Sequence, residues 1–366
     1  MPSLDFFPSR TLTLYLARLF VSRILAVLVM LVLVLMMLDL LSGSGKILAV
    51  PGNGQGELLR YVGLRLPQLV ETFLPYSVLL ATIITLLGLN QNSEVVAMKA
   101  AGLSAHQVLS PLFLTALVVA GLSFAFNERI VTRATAALSA WDANEYRPVP
   151  AGTDVQANVY LSDGTNVLIA GTVTGRGAAT RLTDVSWYRR GPGGLIAEQV
   201  TAPRATFAAP GWRLEEATRF SVQTADTARL PSVVVGERID PAAFRLGRVN
   251  PDAENFWSLG EAIEEYRLAG RRTSELEANR WHKLSGPLSA VLMPLLGAIA
   301  AFGLARSGKL FVRAIIGMAL GFAYFVFDNA ALATGGFGGY PPFLAAWLPF
   351  FLFFLIGETV LIRTEE

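Results

Sequence analysis

Cysteine is absent from all 366 residues, which removes disulfides, thiol nucleophiles and thiolate metal sites together. Any part of the chain outside the cytoplasm must therefore be held by burial and backbone pairing. Histidine occurs only twice, at His106 and His282. Neither sits in a His-Glu-x-x-His pattern, which argues against a zinc protease. Charge is scarce, at 16% of residues, and the formal net charge is only +2. A nucleic-acid binder would need a clustered basic surface. The segment Gly43-Ser44-Gly45-Lys46 looks like the end of a phosphate-binding loop, but Leu40 stands where that loop needs its first glycine. Ile47 replaces the Ser/Thr that would hold magnesium. Asp39 and Asp328 are acids in apolar surroundings, yet Phe327-Asp328-Asn329 lacks the glycines that let a backbone approach a substrate in an intramembrane aspartyl protease. No catalytic residue, metal site or cofactor is expected in this chain.

What the chain does have is long apolar runs. They lie at Ile24–Leu38, Phe73–Leu89, Val108–Phe126, Leu284–Ala305, Ala314–Phe327 and Phe343–Gly357. With their flanks, each approaches the roughly 20 helical residues that cross a ~30 Å hydrocarbon core. The reading is a polytopic α-helical membrane protein of six transmembrane helices, with one polar insert after the third. Arg10, Arg18, Arg23, Lys99, Arg306, Lys309, Arg313 and Arg363 all fall on one side. Positive-inside counting puts both termini in the cytoplasm and the insert outside. The first run is too long for a signal peptide and is expected to stay uncleaved. The domain reading is 1–127 for helices 1–3, 128–278 for the outer domain with flanking helices, and 279–366 for helices 4–6.

From Gly152 to Gly247 the pattern is that of short strands. Val155–Leu161 and Asn166–Gly171 flank an Asp163-Gly164 turn, a strong hairpin cue. Further strands are expected at Ala179–Arg189, Leu195–Ala202, Ala205–Phe207, Trp212–Leu214, Thr218–Thr224 and Ser232–Val235, punctuated at Gly191-Pro192-Gly193-Gly194 and Ala209-Pro210-Gly211. About eight short strands suggest a β-sandwich or β-jelly roll. Trp187, Tyr188, Trp212, Phe207 and Phe220 are candidates for its interior. Ser258-Leu259-Gly260-Glu261 and Ser274-Glu275-Leu276-Glu277 read as capping boxes, the second opening a helix that runs straight into the fourth span. Arg129–Glu145 reads as an extension of the third span. The two acids, Asp39 and Asp328, are expected to be solvated or paired with Lys46, Arg60 or Arg65, or to form a polar rim around a ligand entrance.

The most specific short segment is Asn92–Ser104. Ser93 is expected to cap a helix, Glu94 to complement its dipole and Gly102 to end it. The helix is too short to span and too apolar for a solvated loop, so it either docks into a groove on a cytoplasmic partner or lies on the membrane surface. At this point the chain resembles the LptF/LptG-type (YjgP/YjgQ) permeases of lipopolysaccharide export. The likeness rests on the six runs, the outer strand-rich insert, Ser93–Ser104, Asn279-Arg280-Trp281-His282-Lys283, Gly321–Asp328 and Tyr340-Pro341-Pro342. The last three segments look more like the LptG side of the family.

The resemblance implies a permease subunit of an ABC exporter in the bacterial inner membrane, with the large domain periplasmic. It would extract lipopolysaccharide from the outer leaflet and pass it to a jelly-roll bridge. Implied partners are an LptF-like permease, two copies of an LptB-like ATPase holding ATP and magnesium, an LptC-like single-span jelly-roll protein and an LptA-like bridge. Glu94 would lie at the ATPase contact, with Val95, Val96, Met98 and Leu103 as packing candidates. Met36, Asp39, Lys46, Arg60, Arg65, Arg133 and Asp328 are the substrate-gate candidates. LptG-like proteins commonly carry lysines late in the first span, whereas here Met36–Gly43 has none and Lys46 is the nearest cation. Contact with lipid phosphates would pass to Lys46, Arg60, Arg65 or Arg133, each charged hydrogen bond contributing on the order of 1.5–3 kcal/mol. The competing reading is a non-transporting envelope scaffold that bridges periplasmic components.

Overall fold

A computed structural model describes residues 8–147, 156–162, 166–175, 179–191, 195–222, 224–237, 239, 249–268, 271–298 and 310–365. The chain divides into two compact units. One comprises Met1–Ser42, Leu59–Thr135 and Pro251–Glu366; the other comprises Gly43–Leu58 and Ala136–Asn250.

The first unit is helical. Its elements are α1 (Arg10–Leu48), α2 (Gln55–Gln91), α3 (Glu94–Ala100), α4 (Ala105–Phe126), α5 (Thr132–Ala143), α6 (Phe256–Leu268), α7 (Ser274–Ala298), α8 (Leu310–Gly336) and α9 (Pro342–Glu365), with the ends of α1, α2 and α5 entering the second unit. One π-helical turn, Asn127–Val131, joins α4 to α5 without a break, as expected for a third-span extension. Among the described residues, five stretches are long and apolar enough to cross a membrane, within α1, α2, α4–α5, α8 and α9. The fourth apolar run lies in α7, which is described to Ala298; the rest of that run, with Arg306 and Lys309, lies outside the described residues. Packing rather than amphipathicity organises these helices. One core gathers Leu16, Phe20 and Ile24 of α1 with residues of α2, α3, α4, α7, α8 and α9. A second, separate cluster holds only α1 and α2 side chains, centred on Leu28, Val32, Met36 and Leu69.

The start of α6 corrects the expected cap. Asn255, not Ser258, takes that role: its Oδ1 accepts the Ser258 and Trp257 amides at 2.8 and 3.0 Å, and Ser258 Oγ accepts the Asn255 amide at 3.0 Å. Asn at the N-cap is at least as good an acceptor as Ser. Downstream, α7 does run unbroken from Ser274 to Ala298, as expected, but Ser274 is its first residue rather than its cap, and its hydroxyl donates to the Gly336 carbonyl at 3.0 Å.

The second unit is a six-stranded antiparallel sheet in the order β1-β2-β3-β4-β5-β6. The strands are β1 (Gln156–Ser162), β2 (Val167–Thr174), β3 (Arg181–Arg190), β4 (Ile196–Ala208), β5 (Gly211–Ser221) and β6 (Asp226–Val235). Six strands replace the expected eight because two pairs fuse. Leu195–Ala202 and Ala205–Phe207 are both within β4, and Trp212–Leu214 and the part of Thr218–Thr224 through Ser221 are both within β5. The expected strands stop at Ala202 and Leu214, but β4 runs on through Pro203 and β5 through Glu215-Glu216. Asp184 and Glu216 take positive φ (51° and 54°) and the pairing skips Pro203, but the register is kept on either side: Thr183 pairs with Arg204 and Val185 with Ala202, so the strands continue instead of ending. Among the described residues the six strands form one meandering sheet. The Asp163-Gly164-Thr165 turn and Pro192–Gly194 lie outside the described residues.

Register sets the two faces. Leu168, Trp187 and Val200 pair across one row, and Val185 with Ala202, and Leu182, Ala205, Leu214 and Val233, follow on the same face. This face is the buried core of the unit. Trp187 and Trp212 are buried on it and Phe207 meets Trp212 edge to face, but Tyr188 and Phe220 are not interior residues. Both pair with Gln199 and so fall on the opposite face, since side chains alternate along a strand.

Candidate functional site

Three places in the helical unit gather the residues singled out by sequence. The first is α3. Ser93 does not cap it: φ is 58°, in the left-handed region, and its side chain makes no capping bond. Ser104 instead caps the next helix, α4, in a reciprocal box with Gln107. Gly102, at φ 88°, ends the α3 segment as expected. Val95 and Met98 are buried in the chain's own core, Leu103 is half-buried against it, and Val96 is 53% exposed. The outward face of α3 is therefore Val96, Ala97, Lys99 and Ala100, with Glu94 at its edge. Glu94 accepts a hydrogen bond from the hydroxyl of Tyr15 on α1, at 3.1 and 3.4 Å to its two oxygens.

The second place is the far end of α1. Asp39 accepts from the Tyr61 hydroxyl at 2.6 Å and from Arg65 Nε at 3.2 Å, with Arg65 Nη2 at 3.4 Å. Of the three cations proposed from sequence, Arg65 is the one that closes on Asp39. Arg65 also reaches Gln68. Met36 faces inward against Leu69, whereas Met37 and Leu41 are 75% and 80% exposed. Lys46, Arg60 and Arg133 are all exposed.

The third place is a cavity of about 400 Å³ bounded by α2, the π-helical turn, α7 and α8. Here Asp328 pairs with His282 Nε2 at 2.9 Å, and not with a cation near Asp39. Asp328 is buried, so it belongs to the bundle interior rather than to an open rim. Beside it, Asn127 donates to Glu71 and accepts from Lys283 Nζ at 3.3 Å, forming a chain of three polar groups across three helices. Pro75 and Pro287, both inside helices, line the same cavity. Each removes one backbone N–H from its helix, which leaves the carbonyl four residues earlier, at Glu71 and Lys283, without its usual partner. Three of the four walls thus carry a helix irregularity at one level. The other histidine, His106, faces Glu358 at 3.2 Å. Among the described residues no three His, Asp or Glu side chains gather as metal ligands.

Residues 14–363 match the family described as lipopolysaccharide export system permease LptF/LptG. The chain belongs to that family. It is similar to the lipopolysaccharide export system permease protein LptG of Escherichia coli (strain K12), 26% identical over 312 residues, covering 83% of this chain and 84% of that protein. The LptG of Haemophilus influenzae (strain Rd) is 24% identical over 312 residues, covering 84% of this chain and 86% of that protein. Both relatives are named as permeases of a transport system, not as enzymes.

Within this LptF/LptG-family chain, sequence reasoning missed the Glu71–Asn127–Lys283 chain and the Tyr15 contact. A signal for the first was present. Glu71 stands just before the second apolar run and Asn127 ends the third, and polar groups at such depth need partners. No spacing rule links residues 56 and 156 positions apart, so the partners themselves could not be read. Tyr15 carried no signal, because a tyrosine near the start of a span reads as an interface residue.

Proposed function

We propose that the chain is the permease subunit of an exporter that draws lipopolysaccharide from the outer leaflet of the bacterial inner membrane and hands it to a periplasmic sheet domain. A separate cytoplasmic ATPase, holding ATP and magnesium, supplies the energy. The observation that carries this reading is α3: an apolar helix shorter than two turns, anchored from behind by Val95 and Met98, with Val96 and Glu94 left for a partner. A chain with no nucleotide motif and such a helix needs another subunit's stroke. Both termini and α3 lie in the cytoplasm, six helices span, and the sheet lies in the periplasm. There the sheet hands lipid to the jelly rolls of the partner permease, the single-span protein and the bridge.

Lipid enters along the exposed face of α1. The inward placement of Met36 and Asp328 moves the substrate-facing positions to Met37 and Leu41, while Arg65, Arg60, Arg133 and Lys46 remain as cations for lipid phosphates. Photocrosslinking in native membranes tests this. Probes at Met37 and Leu41 are expected to give lipopolysaccharide adducts, and a probe at Ala116, fully buried in the bundle, none. Absence of adducts from both exposed positions would sink the gate assignment.

A further inference from the structure

We infer that Tyr15 is a positioning residue that ties the first span to the ATPase-facing helix, so that α1 carries the partner's stroke to the outer gate as one rod. The inference rests on the proposed role of α3 and adds a route to it.

Three observations support it. Glu94 is the first residue of α3, and its carboxylate is held by the Tyr15 hydroxyl across 79 positions of sequence. From the next residue on, Leu16, Phe20 and Ile24 form a stripe at four-residue spacing, buried in the same cluster as Val95 and Met98. Arg23 adds a second tie, donating from Nη1 to the Ile84 carbonyl of α2 at 2.7 Å. Gly88 leaves the room for it: a Cβ there would lie 3.1 Å from Arg23 Nη2 and 3.3 Å from Nη1. This end of α1 is therefore fastened to α3 and to the end of α2 by both apolar and polar contacts.

Beyond Leu28 the helix changes company. From Leu28 to Met36 its buried side chains pack in the cluster with Leu69 of α2, and α1 has the smallest buried share of the five described spans. The helix is also stiff. No proline occurs between Arg10 and Leu48, whereas α2, α4, α7 and α9 all carry one or two. From Tyr15 to Asp39 the backbone runs ~36 Å without a break. A continuous rod fastened to α3 and α2 at one end transmits a displacement at Glu94 to the Asp39–Arg65–Tyr61 contact. Because Glu94 also faces the ATPase, a partner group that engages its carboxylate acts directly on the Tyr15 bond.

The test uses the complete exporter in proteoliposomes and scores lipid moved per ATP hydrolysed. Tyr15→Phe deletes one hydroxyl and keeps the ring. Assembly and ATP hydrolysis should stay close to wild type, while lipid moved per ATP falls at least about five-fold. Spin labels at the exposed positions Leu41 and Phe337 should lose most of their nucleotide-driven change in separation. An unchanged ratio and an unchanged label response overturn the inference. So does a parallel fall in hydrolysis and transport, which would assign Tyr15 to helix placement alone. If Tyr15→Phe fails to assemble, Gly88→Ala displaces the Arg23 guanidinium and must lower the same ratio; an unchanged ratio there overturns the inference too. A wild-type complex that hydrolyses ATP without moving lipid would instead count against the proposed function.

Discussion

At the residue scale, Glu198 shows how this chain places a charge in a buried position. It shares a face with Val200 and Ala202, yet it is only 4% exposed. Arg189 reaches one carboxylate oxygen at 2.7 Å and Arg219 binds the other. Burial pushes its carboxyl pKa up, but hydrogen bonds and charge from Arg219 and Arg189 outweigh that and hold it below the ordinary 4.5. The folded carboxyl thus titrates below the unfolded one. Its contribution to stability is complete above about pH 4.5 and is lost as pH falls through the lower, folded value. We expect strands β3–β5 of the full-length protein to lose hydrogen-exchange protection below pH 4.5, and Glu198→Ala to remove that pH dependence at a cost of about 1–3 kcal/mol. The two arginines are half exposed, so water takes up their charge when the glutamate is gone. Full pH dependence in Glu198→Ala would contradict this account.

Among the elements, the α3–α4 turn separates two serines that look alike in sequence. Ser104 accepts the Gln107 amide at 3.2 Å, and its own amide is bound by the Gln107 side chain at 3.0 Å. Ser93 sits in the left-handed region and caps nothing. Ser104→Ala should therefore lower unfolding stability by about 1 kcal/mol. Ser93→Gly should raise it by up to ~1 kcal/mol, because glycine adopts the left-handed conformation without the Cβ clash. Equal losses in the two variants, measured by thermal unfolding in detergent, would show that the cap assignment is wrong. The helix between them was legible in its composition and in Gly102. The cap was not, because Ser93 and Ser104 both precede helical segments and only backbone angles distinguish them.

Over the whole molecule, the bundle is built on close approach at glycines. A Cβ on Gly335 of α8 would collide with the Cβ of Ala345 on α9, and one on Gly357 of α9 would lie 2.6 Å from Leu295 Cγ on α7. Gly321 faces the tip of Leu79 on α2, so packing within the chain accounts for it. These sites differ in what can move. Ala345 is fixed to its backbone, whereas the Leu79 side chain can rotate. Gly335→Ala is expected to cost about 1–3 kcal/mol and Gly321→Ala less. Comparing their unfolding midpoints in detergent checks the order, and a reversed order would refute it.

Sequence alone determined the class of this protein: apolar runs of spanning length, a strand-rich insert, no nucleotide motif, and one short apolar helix at Ser93–Ser104. Those features depend on composition and local period, which a linear reading retains. Tertiary structure decided the rest. It assigned Arg65 and Tyr61 to Asp39, His282 to Asp328 and Tyr15 to Glu94, and it turned Val95 and Met98 inward while leaving Val96 outside. It also fused eight apparent strands into six, since a sheet can run through Pro203 and Glu216 once its neighbours supply the pairing. Each of these outcomes joins groups far apart along the chain. Their energies come from contact and burial, and neither exists until the helices and strands have packed.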